Sequence, residues 1–111
     1  MKAIRMTAFH ELSVVDERMP EITDGEALIH VTYAGICASD VHVLEGKHPS
    51  AKPPLILGHE FCGELVDIQV SGRTEFKIGD TVTAHPLSSC GRCEQCGNGR
   101  HNLCADLSIF G

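Results

Sequence analysis

The sequence predicts a mainly β fold: a partly open barrel of short strands, with short helices and a cysteine lobe appended near the C-terminus. Three observations predict it. Period-two patterning recurs along short segments rich in Val, Ile, Leu and Ala. Prolines and glycines punctuate the chain between those segments. Four of the six cysteines fall within fifteen residues, in a stretch of Ser, Gly and Asn with few apolar residues. At 111 residues, 42% of them hydrophobic, the chain makes one domain able to bury a core.

The elements follow in order. Residues 2–8 and 12–15 read as strands, and His10 with Glu11 turns them into a hairpin. Pro20 and Thr23-Asp24-Gly25 break the chain before a strand over 27–33. A short helix is expected over 39–45, capped by Ser39 or Asp40 and ended by Gly46. The three prolines within 47–54 make that stretch a loop. A longer strand covers 61–70, where Gly63 marks a bulge or a sharp bend. Gly79-Asp80 turns the chain into a strand over 81–84. Beyond Pro86 the strand pattern fades until the strand-like run Ser108-Ile109-Phe110-Gly111, which reads as a cut rather than a natural finish. Phe61, Phe76 and Phe110 are core candidates, or stand exposed on faces that a further domain would meet, and Cys62 reads as packing.

Charge excludes some functions. Nine Lys and Arg face fifteen Asp and Glu, a formal net charge of -6, and the cations are scattered. A nucleic-acid surface needs clustered cations, so that class is disfavoured, as is an anionic membrane surface. No apolar run approaches the ~18 residues of a membrane span. Lys2, Arg5, His10 and Glu11 interrupt the first twelve residues, which therefore cannot be a signal-peptide core. The expected address is the cytoplasm. Clustered thiols in a reducing compartment read as metal ligands rather than disulfides.

Cys90, Cys93, Cys96 and Cys104 form C-x2-C-x2-C-x7-C, with the lobe at about 88–106. Four thiolates close a tetrahedral zinc site. In zinc-finger peptides metal binding contributes ~10–16 kcal/mol to folding, and a lobe poor in apolar residues depends on such a term. A bacterial ferredoxin run opens in the same way but continues x3-C-P, so an iron–sulfur centre, and with it an electron-transfer protein, is the weaker reading. Four thiolates leave no open position, so this zinc is structural.

A second constellation spans Gly35-Ile36-Cys37-Ala38-Ser39-Asp40-Val41-His42 and Gly58-His59-Glu60. Cys37 alone is most simply a small buried hydrophobe, and His59 alone a hydrogen-bonded core histidine. Their company changes the weighing: Ser39, Asp40 and His42 follow Cys37 closely, and Glu60 adjoins His59.

With Phe-Lys-Ile-Gly-Asp-Thr-Val at 76–82 and the four-cysteine lobe, these motifs resemble the N-terminal, GroES-like catalytic domain of zinc-dependent medium-chain alcohol and polyol dehydrogenases. The stretch over 37–42 looks closest to the sorbitol and threonine dehydrogenase branches. The resemblance covers essentially the whole chain and implies a fold and a set of roles. Cys37 and His59 ligate a catalytic zinc, with Glu60 as an alternative ligand or neighbouring carboxylate. Asp40 bonds the far ring nitrogen of His59 and fixes its tautomer. Ser39 receives the proton of the substrate hydroxyl, and His42 passes it toward solvent. Cys90, Cys93, Cys96 and Cys104 hold the structural zinc. The hydride of an alcohol or polyol goes to NAD or NADP.

The chain departs from the family pattern in places. Ala38 stands where many relatives carry a cation that reaches the cofactor phosphates. Gln69 replaces an expected glycine, and an apparent insertion follows near 70–74. No nucleotide-binding domain is expected here, and no residue is assigned to the nicotinamide. The near-match Gly97-Asn-Gly99-Arg-His-Asn102 sits inside the lobe after no strand. The remaining family ligand of the catalytic zinc is expected beyond Gly111. The leading expectation is therefore a dehydrogenase portion that is inactive alone, from an enzyme that assembles as a homo-oligomer. The alternative is a free-standing, zinc-stabilised GroES-like interaction module.

Overall fold

The computed structural model describes residues 1–110, so Gly111, the last residue of the expected terminal run, lies outside the described residues. Strand β1 (Lys2–Ala8) pairs antiparallel with β2 (Glu11–Asp16), which begins one residue earlier than the sequence predicts. The turn is Phe9-His10 rather than His10-Glu11, because Glu11 already pairs with Ala8. His10 takes a left-handed φ of 64°, which tight hairpin turns demand. Strand β3 (Glu26–Ala34) follows, and then helix α1 (Ala38–Leu44).

The cap of α1 differs from expectation. Cys37, not Ser39 or Asp40, is the N-cap residue, and Asp40 serves from three positions inside. Its carboxylate accepts the Cys37 N–H at 2.9 Å, satisfying a backbone donor at the helix start. Gly46 ends the helix as the sequence predicts. It sits at φ +71°, while the Gly46 N–H donates to Val43 O and the Lys47 N–H to His42 O. That pair of bonds is a Schellman stop, which favours a residue without Cβ. His10 N–H donates to Leu44 O at 2.8 Å and ties the first hairpin to the end of the helix.

The proline-rich loop leads into β4 (Leu55–Ile56), which the sequence does not announce and which pairs with β1. Strand β5 (Phe61–Gln69) lies between β3 and β6 (Thr81–Thr83). The register of β3 against β5 shifts between Val31 and Tyr33, opposite Gly63 and Cys62. This is the irregularity expected at Gly63. A Cβ there would overlap the His30 carbonyl and Val31 Cα on the neighbouring strand. The glycine thus lets two backbones approach where a side chain cannot fit.

Strand β7 (Leu87–Ser88) pairs with β8 (Ser108–Ile109) and brackets the lobe. The lobe holds helix α2 (Glu94–Gly97) and a 3-10 turn (His101–Leu103). The strands form three small sheets, ordered β2-β1-β4, β3-β5-β6 and β7-β8, and these do not join into one hydrogen-bonded ring among the described residues. The architecture is the mainly β, open one that the sequence predicts.

The core is smaller than composition suggests. Met6 of β1, Leu65 of β5 and Val43 of α1 are buried, as are Cys96 and Cys104 in the lobe. The accessible surface is 8247 Å². Size scaling gives roughly 6000 Å² for a compact monomer of this mass. The excess is apolar in part: Ile36, Tyr33 and Val14 are 86%, 74% and 72% exposed. Phe76 and Phe110 are exposed rather than core residues, and Phe61 is partly buried against the Phe110 ring at 6.0 Å. The reason is geometric. Short, separate sheets leave faces that no element of the described chain covers.

Candidate metal centres

The lobe folds its four cysteines onto one point. One sulfur from each of Cys90, Cys93, Cys96 and Cys104 lies within 4.8 Å of the others. Helix α2 starts at Cys93 as N-cap and carries Cys96 on its buried side. The 3-10 turn delivers Cys104. Cys93 Sγ stands 3.5 Å from Cys96 Sγ and 4.0 Å from Cys104 Sγ. A tetrahedron of sulfurs about 2.3 Å from a zinc ion has edges of about 3.8 Å. A disulfide brings its sulfurs to about 2.0 Å. All six cysteines are free. The donor set therefore fits one thiophilic ion and neither disulfides nor a larger cluster.

Backbone donors prepare the sulfurs for that charge. The N–H groups of Cys90 and Asp106 both point at Cys104 Sγ, each at 3.3 Å. Backbone bonds from Ala105 and Cys96 hold the Cys93 thiol down to about 6. Bonds from Arg92 and Cys93 lower Cys90. Burial pushes Cys96 up to about 11. Backbone bonds thus favour thiolate at Cys93 and Cys90, while burial favours the protonated form at Cys96, whose proton a bound ion would displace.

The second cluster forms where α1 and the start of β5 meet. A sulfur of Cys37, a ring nitrogen of His59 and a carboxylate oxygen of Glu60 lie within 4.8 Å of one another. These residues are 22 and 23 positions apart in sequence and are joined by the fold. The Gly35 N–H donates to Glu60 O at 2.7 Å, extending the pairing of β3 with β5. It thereby sets the chain entering Cys37 beside the chain leaving His59.

The His59 ring is gripped on both edges. Its Nδ1 lies 3.4 Å from Asp40 Oδ1, and its Nε2 lies 3.3 Å from Ser39 Oγ. Asp40 is the one buried charged residue among those described, at 9% exposure. Its second oxygen already accepts the Cys37 N–H, so one carboxylate braces both Cys37 and His59. His42 is exposed in the last turn of α1, three residues from Ser39 and on the same side of the helix. No hydrogen bond joins it to Ser39 among the described residues.

This cluster offers three donors of mixed type, one fewer than the four that close a structural zinc site such as the lobe. Beside this cluster runs a groove of about 390 Å³ whose lining includes Gly35, Asp40 and Gly58 with Ile4, Leu12 and Ile36. The sequence picks out the cluster's donors but not Gly35's part in it, since that glycine looks like an ordinary strand end. The remaining histidines form no third group of donors among the described residues. His101 Nδ1 meets Ser89 Oγ at 3.2 Å, and the Leu87 N–H reaches His85 Nδ1 at 3.3 Å. No helix among the described residues is long and apolar enough to cross a membrane.

The open β fold thus carries two donor clusters of different type, one of four thiols and one of a thiol, an imidazole and a carboxylate, each able to hold a metal ion. The chain belongs to the alcohol dehydrogenase GroES-like domain family, which matches residues 23–111. It is 41% identical over 114 residues to a sorbitol dehydrogenase of Bacillus subtilis, covering 99% of this chain and 32% of that protein. It is 37% identical over 111 residues to the starvation-sensing protein RspB of Escherichia coli, covering 100% of this chain and 32% of that protein. An alcohol dehydrogenase (rspB) from Escherichia coli CFT073, solved with NADH, superimposes with a TM-score of 0.89 at 34% identity. That match covers 100% of this chain and 32% of the solved one. The chain thus spans about a third of the length of the curated relatives it matches.

Proposed function

We propose that this chain is the zinc-binding portion of a dehydrogenase that oxidises an alcohol or polyol by hydride transfer to NAD or NADP. The observation that carries the reading is the pair of unlike donor clusters, one of four thiols and one of three mixed donors. In this reading residues 1–111 are the GroES-like domain, with the structural zinc lobe at about 88–106. The nucleotide-binding region belongs to another part of the polypeptide, and these residues alone are inactive. The complete enzyme is a cytoplasmic homo-oligomer that meets neither nucleic acid nor membrane.

Each residue has a task. Cys90, Cys93, Cys96 and Cys104 hold the structural zinc and fold the lobe. Cys37, His59 and Glu60 would hold the second ion, which would supply Lewis acidity toward the substrate hydroxyl, and a bound nicotinamide would supply the hydride acceptor. Asp40 would keep the proton on His59 Nδ1, so that the lone pair of Nε2, beside Ser39 Oγ, faces the ion. Ser39, beside that nitrogen, takes the hydroxyl proton. His42, one helical turn on, hands it to solvent. Ala38 offers the cofactor phosphates no cation.

The test is alcohol- and polyol-dependent reduction of NAD or NADP by the full natural polypeptide carrying this domain. Turnover is expected, and Ser39→Ala should lower kcat by about 100-fold or more with the metal content unchanged. A doubly metallated protein with no turnover on any alcohol or polyol would refute the reading. Wild-type kcat in Ser39→Ala would refute the role given to that residue.

A further inference from the structure

We infer that Gly35 is a positioning residue for the second metal centre: its missing side chain is what lets the Glu60 carboxylate join Cys37 and His59. The inference rests on the reading of that cluster as a metal site. A Cβ built on Gly35 would stand 2.8 Å from Glu60 Oε2 and 3.3 Å from Glu60 Cβ. The first distance is shorter than carbon and oxygen tolerate without bonding. The carboxylate therefore lies in space that any other residue at 35 fills.

The backbone does not explain the glycine. Gly35 is absent from the left-handed positions, so an L-residue is conformationally allowed there. Its N–H bond to Glu60 O is also available to any residue except proline. What a side chain displaces first is the carboxylate, the far end of a flexible chain, rather than backbone. Gly63 makes the contrast, because there the obstruction is the neighbouring strand itself. Gly35→Ala should thus leave the fold standing and move one donor of the three.

The geometry gives Gly35 a second constraint on Glu60. The 2.7 Å bond from the Gly35 N–H fixes the Glu60 backbone while the open space above Gly35 accepts its side chain. Backbone and carboxylate of Glu60 are both registered against the same residue. Cys37 follows two positions later, so sulfur and carboxylate are set from one short stretch of chain.

The experiment uses cobalt(II) as the probe, bound to the full natural polypeptide with the lobe already filled with zinc. Wild type, Gly35→Ala, Glu60→Gln and the double variant are titrated against a competing chelator. The thiolate-to-cobalt absorption of Cys37 is the signal. Gly35→Ala should weaken cobalt binding about 10–100-fold and alter the visible band, as displacement of a ligand does. The lobe zinc should stay at one per chain, which reports the fold. The double variant should bind no more weakly than Glu60→Gln alone, since both changes remove the same donor. Wild-type affinity in Gly35→Ala, or fully additive losses, would overturn the inference. Wild-type affinity in Glu60→Gln would instead remove Glu60 from the donor set and refute that part of the cluster's reading.

Discussion

Replacing Gly63 by alanine tests how closely β3 and β5 must approach to set the second metal centre. The new Cβ would meet the His30 carbonyl oxygen, with His30 C and Val31 Cα each at 2.8 Å, all of them backbone. Neither strand can yield by turning a side chain, so the ladder must open locally. The pairs nearest the change are His30 with Glu64, Val31 with Gly63 and Tyr33 with Cys62. Loss of two to four backbone bonds at about 1 kcal/mol each costs about 2–4 kcal/mol. With m of about 1.5 kcal/mol/M, the urea midpoint should fall by about 1–3 M at unchanged m. The assay is equilibrium urea unfolding at saturating zinc, with Gly97→Ala as control. Gly97 has nothing within 4 Å of a built Cβ and lies in α2, so its variant should stay within about 0.5 kcal/mol of wild type or gain slightly. A Gly63→Ala protein as stable as the control would refute the reasoning.

Two further outcomes follow from the sites. Asp40→Asn removes the charge that braces Cys37 and His59, and it should weaken metal at the second centre about 10–100-fold while the lobe metal stays bound. Equal loss from both centres in a chelator titration would show unfolding instead. Zinc binding to the empty lobe at pH 8 should release fewer than four protons, because Cys93, near 6, is already thiolate while Cys96, near 11, must give up its proton. Because Cys96 must lose a proton at any pH below about 11, zinc binding weakens as pH falls, and more steeply below about 6, where Cys93 also holds a proton. Calorimetry in buffers of different ionisation enthalpy counts the protons, and a full four at pH 8 would contradict the account.

Much of this fold is legible because its signals are local. The hairpin of β1 and β2, the strands β3 and β5, and the glycine stop of α1 follow from periodicity and turn chemistry within a few residues. The four-cysteine spacing announces its cage for the same reason. Two of the two-residue strands escape notice because only their partners define them. Leu55–Ile56 exists through β1, some fifty residues earlier, and Leu87–Ser88 through β8, some twenty residues later. Composition counts apolar residues but not the faces they occupy, so Phe76 and Phe110 read as core and stand exposed. The helix cap misled for a subtler reason. Ser39 and Asp40 are good N-caps by type, yet their side chains are turned to His59 and, from Asp40, back to Cys37. Local preference yields there to the cluster, as happens at sites that carry function. The donors of the second centre are recognisable by type and company, whereas the space that Gly35 leaves for Glu60 exists only once β3 and β5 are paired.

The central claim is that these residues build two separate metal sites. Elemental analysis of the full natural polypeptide carrying this domain, repeated on His59→Ala, tests it most directly. The account predicts about two zinc ions per chain, falling to one in the variant with the lobe intact. One zinc in both proteins, or iron in place of zinc, would contradict it.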